Sequence, residues 1–309
     1  MKLTLAILAS MAILASMGAL ASVEIGNGEQ ELCKKKYLLL TSQKSGSTWF
    51  CGVLQQQNGI SCGTPPGPHQ PLGHSELLMK YSSLTHNDKI ASVTWQQYQS
   101  DLDEAFAEVC ATNPTTSVGF KIMYNQIPPQ FIANKKLRTY FKDRGINVIH
   151  LVREAKILVL ASAHNVVERA RGDPQKELDA NHTTNSSMIQ ETPSLHWDEK
   201  TIGNMLELEK TSIEWQIEIH KMAPFVQNYY VAYENVLGKE KRKMLVSQIA
   251  AFVTGSFDPN VEKAEGTLLK RSDSSCSSRI AKYTKFRAHN KVINSRSAAA
   301  CDLIEETNI

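Results

Sequence analysis

Lys44, Ser45, Gly46, Ser47 and Thr48 stand in one uninterrupted run, a cation beside four small residues. The run follows an apolar stretch, Tyr37 to Leu40, that reads as a short buried strand. It precedes Trp49, Phe50, Val53 and Leu54, which recur at helical spacing up to the stop signal Asn58-Gly59. At such a handover small side chains leave successive backbone N–H groups exposed at the positive end of the helix dipole. The turn is therefore read as an anion cradle, with Lys44 adding a full charge. A Walker A loop would place lysine after the last glycine of GxxxxGK[ST]. Here Lys44 precedes Gly46 and no Walker sequence occurs, which disfavours an ordinary ATPase or kinase. A lysine-bearing surface turn without a ligand is the bland alternative, and the position directly after an apolar strand weighs against it.

The elements that would position this turn alternate along the chain. Trp95, Tyr98, Leu102, Phe106 and Val109 follow the spacing of an amphipathic helix whose apolar stripe belongs to a core. "SVGFKIMY" reads as a strand, "PPQFIANKKLRTYFKDRG" as one helix opened by Pro129 and closed by Gly145, and "INVIHLV" as a second fully buried strand. A helix is expected from Glu154 to about Ala170, another through Ile202, Leu206, Ile213 and Ile217, a strand at Tyr229 to Tyr233, and a last helix through Leu245, Ile249, Phe252 and Val253 stopped by Gly255. The segment from Gly59 to about Ser75 is too rich in Gly, Pro and His for regular structure. The alternation predicts an α/β fold, a P-loop-like, mainly parallel sheet with helices on both faces. His150 falls inside a buried-type strand and reads as a satisfied core histidine.

With 309 residues and 42% hydrophobic content the chain can form a sizeable core. Residues 3–21, after Met1-Lys2, are rich in Ala, Leu, Ile and Met and end in Ala19-Leu20-Ala21, so residues 1–21 read as a secretory signal. An uncleaved, lumen-facing membrane anchor is the alternative. Residues 22–36 would be a linker and 37–309 a single domain with an irregular insert at about 171–196, where the sequons at Asn181 and Asn185 suit a glycosylated surface loop. Six cysteines, an even number without a CxxC pair, fit disulfides in an oxidising compartment, and fifteen pairings stay open. The formal charge of +3 gives no global basic field, so nucleic acid is not an expected partner and any anion site must be local. In the basic, serine-rich tail, Lys270 and Arg271 could reach back to an anionic ligand or belong to a solvated wrap.

"SQKSGSTWF" resembles the 5′-phosphosulfate loop of sulfotransferases that use 3′-phosphoadenosine 5′-phosphosulfate (PAPS), and "VIHLVREAKILVLASAH" resembles the family's second motif, a strand ending in arginine followed by a helix with a serine. The resemblance implies that Lys44, Ser45, Gly46, Ser47 and Thr48 hold the 5′-phosphosulfate and that Arg153 and Ser162 hold the 3′-phosphate. Many members place the serine eight residues after the arginine, where this chain has Ala161. Ser162 stands nine after, as in the trehalose-sulfotransferase-like branch. Carbohydrate-directed members use a glutamate shortly after the first helix, and "GHSELLM" looks like that position, which implies Glu76 as general base with His74 as runner-up. The structural alternative for Glu76 is a helix start capped by Ser75. The implied function is transfer of a sulfuryl group from PAPS, without a metal, to a hydroxyl of a glycan in the Golgi lumen or outside the cell. Lys44 would stabilise the leaving group. Protein tyrosine or a small alcohol as acceptor, and a secreted glycan-binding protein without turnover, remain open alternatives.

Overall fold

The computed structural model describes residues 32–42, 45–63, 81, 92–161, 199–220, 226–237, 239–255 and 300–301. The leader, the insert at 171–196 with both sequons, and the basic tail lie outside them.

Strand β1 (Lys35–Thr41) takes the centre of a five-stranded sheet ordered β2-β3-β1-β4-β5, with β2 at Ile60–Cys62, β3 at Ser117–Met123, β4 at Ile146–Val152 and β5 at Asn228–Ala232. Every pairing among the described residues is parallel; Leu38 lies opposite both Phe120 and Val148. A central parallel strand is covered on both faces, which is why "YLLL" is a continuous apolar run and not an alternating one. Its side chains divide by parity. Leu38 and Leu40 enter one core with Tyr98, Leu102, Phe106 and Val109 of helix α2 (Trp95–Thr112) and Phe141 of α4 (Lys136–Asp143). Tyr37 and Leu39 enter the other with Phe50, Val53 and Leu54 of α1 (Ser47–Gln55) and Val246, Ile249 and Val253 of α6 (Lys239–Thr254). The fold is thus α/β and P-loop-like, a parallel sheet with helices on both faces and a glycine-bearing turn leading from the central strand into α1. Helix α5 (Glu199–His220) places Met205 in a third, smaller cluster with Ala155, Ile157 and Leu158.

Two sequence expectations need correction. The segment after Gly59 begins with strand β2, not with irregular chain, because Ile60 to Cys62 pair with Ser117 to Gly119 at the sheet edge. Gly119 makes room for this: a Cβ there would meet the Tyr37 ring at 2.5 Å, and the Tyr37 hydroxyl crosses β3 to donate to the Ser61 carbonyl at 3.0 Å. The expected single helix after Pro129 is two, α3 (Pro129–Ala133) and α4, because Lys135 turns into the left-handed region (φ 64) and the Asn134 side chain caps the next helix through the Lys136 N–H at 3.1 Å. Cys33–Cys110 and Cys51–Cys62 are disulfides and Cys301 is disulfide-bonded as well, while Cys276 lies outside the described residues.

Candidate functional site

The chain leaves β1 toward the β2–β3 side and, after β3, crosses to β4 on the other side, so the carboxyl end of β1 is the switch point where an open parallel sheet forms its ligand crevice. The turn from Ser45 to Thr48 occupies that place. Thr41, the last residue of β1, bonds the buried Ser45 hydroxyl and the Leu151 carbonyl of β4 (3.0 Å), which ties the turn to two strands. Gly46 caps α1 at φ 80 and accepts from the Phe50 N–H at 3.0 Å; among the described residues no side-chain hydrogen bond caps this helix, and its first turn carries no acid. The first N–H groups of α1 therefore form an uncapped, positive helix end lined by Ser47 and Thr48.

Arg153 follows β4 at the same edge of the sheet. The two strand-to-helix junctions differ in one respect. After β4, the buried Glu234 carboxylate accepts from the N–H groups of Glu154 (3.1 Å) and Ala155 (3.0 Å), so a carboxylate already fills the start of the helical segment 156–161. Lys156, buried beside it, is pushed down to about 8 by desolvation, against the pull of Glu234, Glu154 and Glu209. At the β4 junction the Glu234 carboxylate thus takes the N–H groups of Glu154 and Ala155, which leaves side chains such as Arg153 as the cationic groups there.

Four residues that the motif reading did not single out join the turn. Lys121 lies in the middle of β3, is 8% exposed, and donates from Nζ to the Thr48 hydroxyl at 2.8 Å. A lysine inside an otherwise apolar strand was the available signal, since such a charge is seldom buried without a task. Tyr233 starts the short 3-10 turn after β5 (Tyr233–Val236) and lies against Gly46, where a Cβ would stand 2.2 Å from its ring. The Arg153 guanidinium sits 5.1 Å from the centre of the same ring. Trp49 meets Tyr233 edge-on at 6.1 Å, and Arg242 of α6 covers Trp49 at 5.5 Å. Burial raises the Tyr233 hydroxyl pKa although both arginines pull it down, so the phenol stays neutral.

The structure thus brings Ser45, Gly46, Ser47 and Thr48 together with Arg153 through one tyrosine. Lys44, His74, Glu76, Ser162, Lys270 and Arg271 lie outside the described residues. His150 is apart from this cluster, on the opposite face of the sheet, with Nδ1 3.2 Å from the Tyr124 hydroxyl and Nε2 3.4 Å from Asn228 Oδ1.

No protein-family model and no curated protein sequence matches the chain. Among solved structures, the sulfotransferase domain of a Synechococcus olefin synthase aligns with 88% of the chain and 86% of its own length, at 15% identity and a TM-score of 0.32. At that level the likeness bears on neither family nor activity.

Proposed function

We propose that the chain is a sulfotransferase that moves the sulfuryl group of PAPS to a hydroxyl of a carbohydrate acceptor. The observation that carries the reading is the uncapped N-terminus of α1 at the sheet's switch point, with Lys121 bonded to Thr48 and Arg153 leaning on the tyrosine that touches Gly46. That environment fits a donor with two anionic ends. Small side chains admit it, backbone N–H groups and an ammonium would meet one end, and the Arg153 guanidinium would meet the other.

In this reading the N–H groups of Ser47 and Thr48, the Thr48 hydroxyl and Lys44 hold the 5′-phosphosulfate, and Lys121 adds a second positive charge beside Thr48. Arg153 and Ser162 take the 3′-phosphate, with Lys270 and Arg271 as further anion contacts. PAPS would supply an activated sulfuryl group, transferred by in-line displacement as a phosphate oxygen leaves. The protein's own task is electrostatic. Fixed cations and N–H groups stabilise negative charge as it grows on the leaving oxygen, with little reorganisation. Glu76, or His74 in its place, would take the proton of the acceptor hydroxyl. The disulfides support folding in an oxidising compartment, consistent with the Golgi lumen or secretion.

Calorimetric titration with 3′-phosphoadenosine 5′-phosphate (PAP), without metal, tests the reading. The wild type should bind, and Arg153→Ala should lose about 10- to 100-fold for PAP, the scale of a charged hydrogen bond. Binding of adenosine 5′-phosphosulfate, which lacks the 3′-phosphate, should change far less. A folded wild type that binds no PAP refutes the donor; equal losses for the two ligands refute the role of Arg153.

A further inference from the structure

We infer that Tyr233 is a positioning residue that fixes the distance between the two anion-binding elements, so that the donor's two phosphate ends are recognised jointly; the inference rests on the donor reading above. The geometry is that of a bracket. One edge of the ring occupies the space a side chain at Gly46 would need, with Cε2, Cδ2 and Cζ at 2.2, 2.7 and 2.9 Å from the Cβ that glycine lacks. The turn's backbone therefore rests directly on the ring, and the left-handed Gly46 (φ 80) is what permits that approach. The ring also carries the Arg153 guanidinium at 5.1 Å, a contact that orients the fork of N–H donors without neutralising its charge.

The main chain completes the bracket. Glu234, the next residue, holds the N–H groups of Glu154 and Ala155, directly after Arg153, so consecutive residues grip the side chain and the following backbone of one element. Trp49, from the first turn of α1, also meets the ring edge-on at 6.1 Å. A rigid aromatic ring with few rotamers is suited to hold two elements at fixed separation, since little side-chain entropy is lost in doing so. Arg153 and the turn come from different strand ends, and the Tyr233 side chain touches both.

The readout that separates positioning from general support is the ratio of adenosine 5′-phosphate to PAP dissociation constants, which measures the gain from the 3′-phosphate alone. Tyr233→Leu should reduce that ratio about fivefold or more, the scale of a guanidinium–aromatic contact, while Tyr233→Phe should keep it within about twofold. Gly46→Ala provides the second variant, since a methyl group there pushes on the ring that carries Arg153. It should lower the ratio too, although residue 46 belongs to the 5′ end. A folded Tyr233→Leu or Gly46→Ala protein that binds PAP with the wild-type ratio overturns the bracket and leaves the donor reading intact. Failure of the wild type to bind PAP overturns the donor reading, and the bracket with it.

Discussion

His150 shows what burial does to a titratable side chain with no anion to meet. It is 4% exposed, both ring nitrogens face polar partners on Tyr124 and Asn228, and burial pushes its pKa from 6.5 down to about 4 despite the Asn228 contact. A depressed folded-state pKa means that the unfolded chain binds the proton more readily between those values, so stability falls as the pH drops from 6.5 toward 4 and is unaffected by this residue above 6.5. The shift corresponds to about 3 kcal/mol when fully developed. Urea unfolding of the wild type and His150→Gln across that range should show a wild-type stability that falls more steeply by about this amount. Parallel curves would mean that the imidazole accepts its proton in the folded state. Lys121 is the contrasting case: equally enclosed by a strand, it has its ammonium directed to Thr48 at the edge of the sheet where the turn stands. One buried base is enclosed by the core, and the other is bonded to the turn.

Each strand-to-helix junction has N–H groups to satisfy, and the two junctions at this edge meet that need differently. At α1 no side chain among the described residues caps them, while after β4 Glu234 supplies the acceptor for two of them. Glu234→Gln keeps the shape but removes the charge and sets an amide NH2 against one of those donors. It should cost about 1–3 kcal/mol in urea unfolding, the range for a buried donor left without its acceptor. A loss within the error of the titration would show that the carboxylate only fills space. These junctions also mark how far the sequence could be read. Strands β1 and β4 were legible because a doubly covered strand is a continuous apolar run, and Ser45 to Thr48 and Arg153 were legible because each closes such a run. Strand β2 escaped because three residues between glycines carry no periodicity and are held by pairing with β3. The α3–α4 break escaped because a left-handed lysine has no local signature. Tyr233 escaped for another reason: β5 reaches β1 only through β4, and that strand order is a property of the sheet, not of any segment.

At the scale of the whole molecule the Cys33–Cys110 and Cys51–Cys62 disulfides constrain different things. Cys33–Cys110 lies at the amino end of β1, far along the strand from the turn, and closes 77 residues. Cys51–Cys62 closes 11 and joins α1, whose first turn is the proposed anion cradle, to β2. If cross-links act by restricting the unfolded chain, the long loop is worth about 4.5 kcal/mol and the short one about 3 kcal/mol. Stability and donor binding should then separate. Replacing Cys33 and Cys110 by Ser should lower the urea midpoint more, yet leave PAP affinity near that of the wild type, because the Thr41, Tyr233 and Lys121 contacts to the turn are untouched. Replacing Cys51 and Cys62 should lower the midpoint less and weaken PAP binding, because the helix that presents the N–H groups loses its covalent tie to the sheet. Both pairs would be measured in the folded, oxidised protein by urea titration and by PAP calorimetry side by side. If the two variants lose PAP affinity equally, α1 is not held in place by its disulfide, and the turn depends on its hydrogen bonds and on Tyr233 alone.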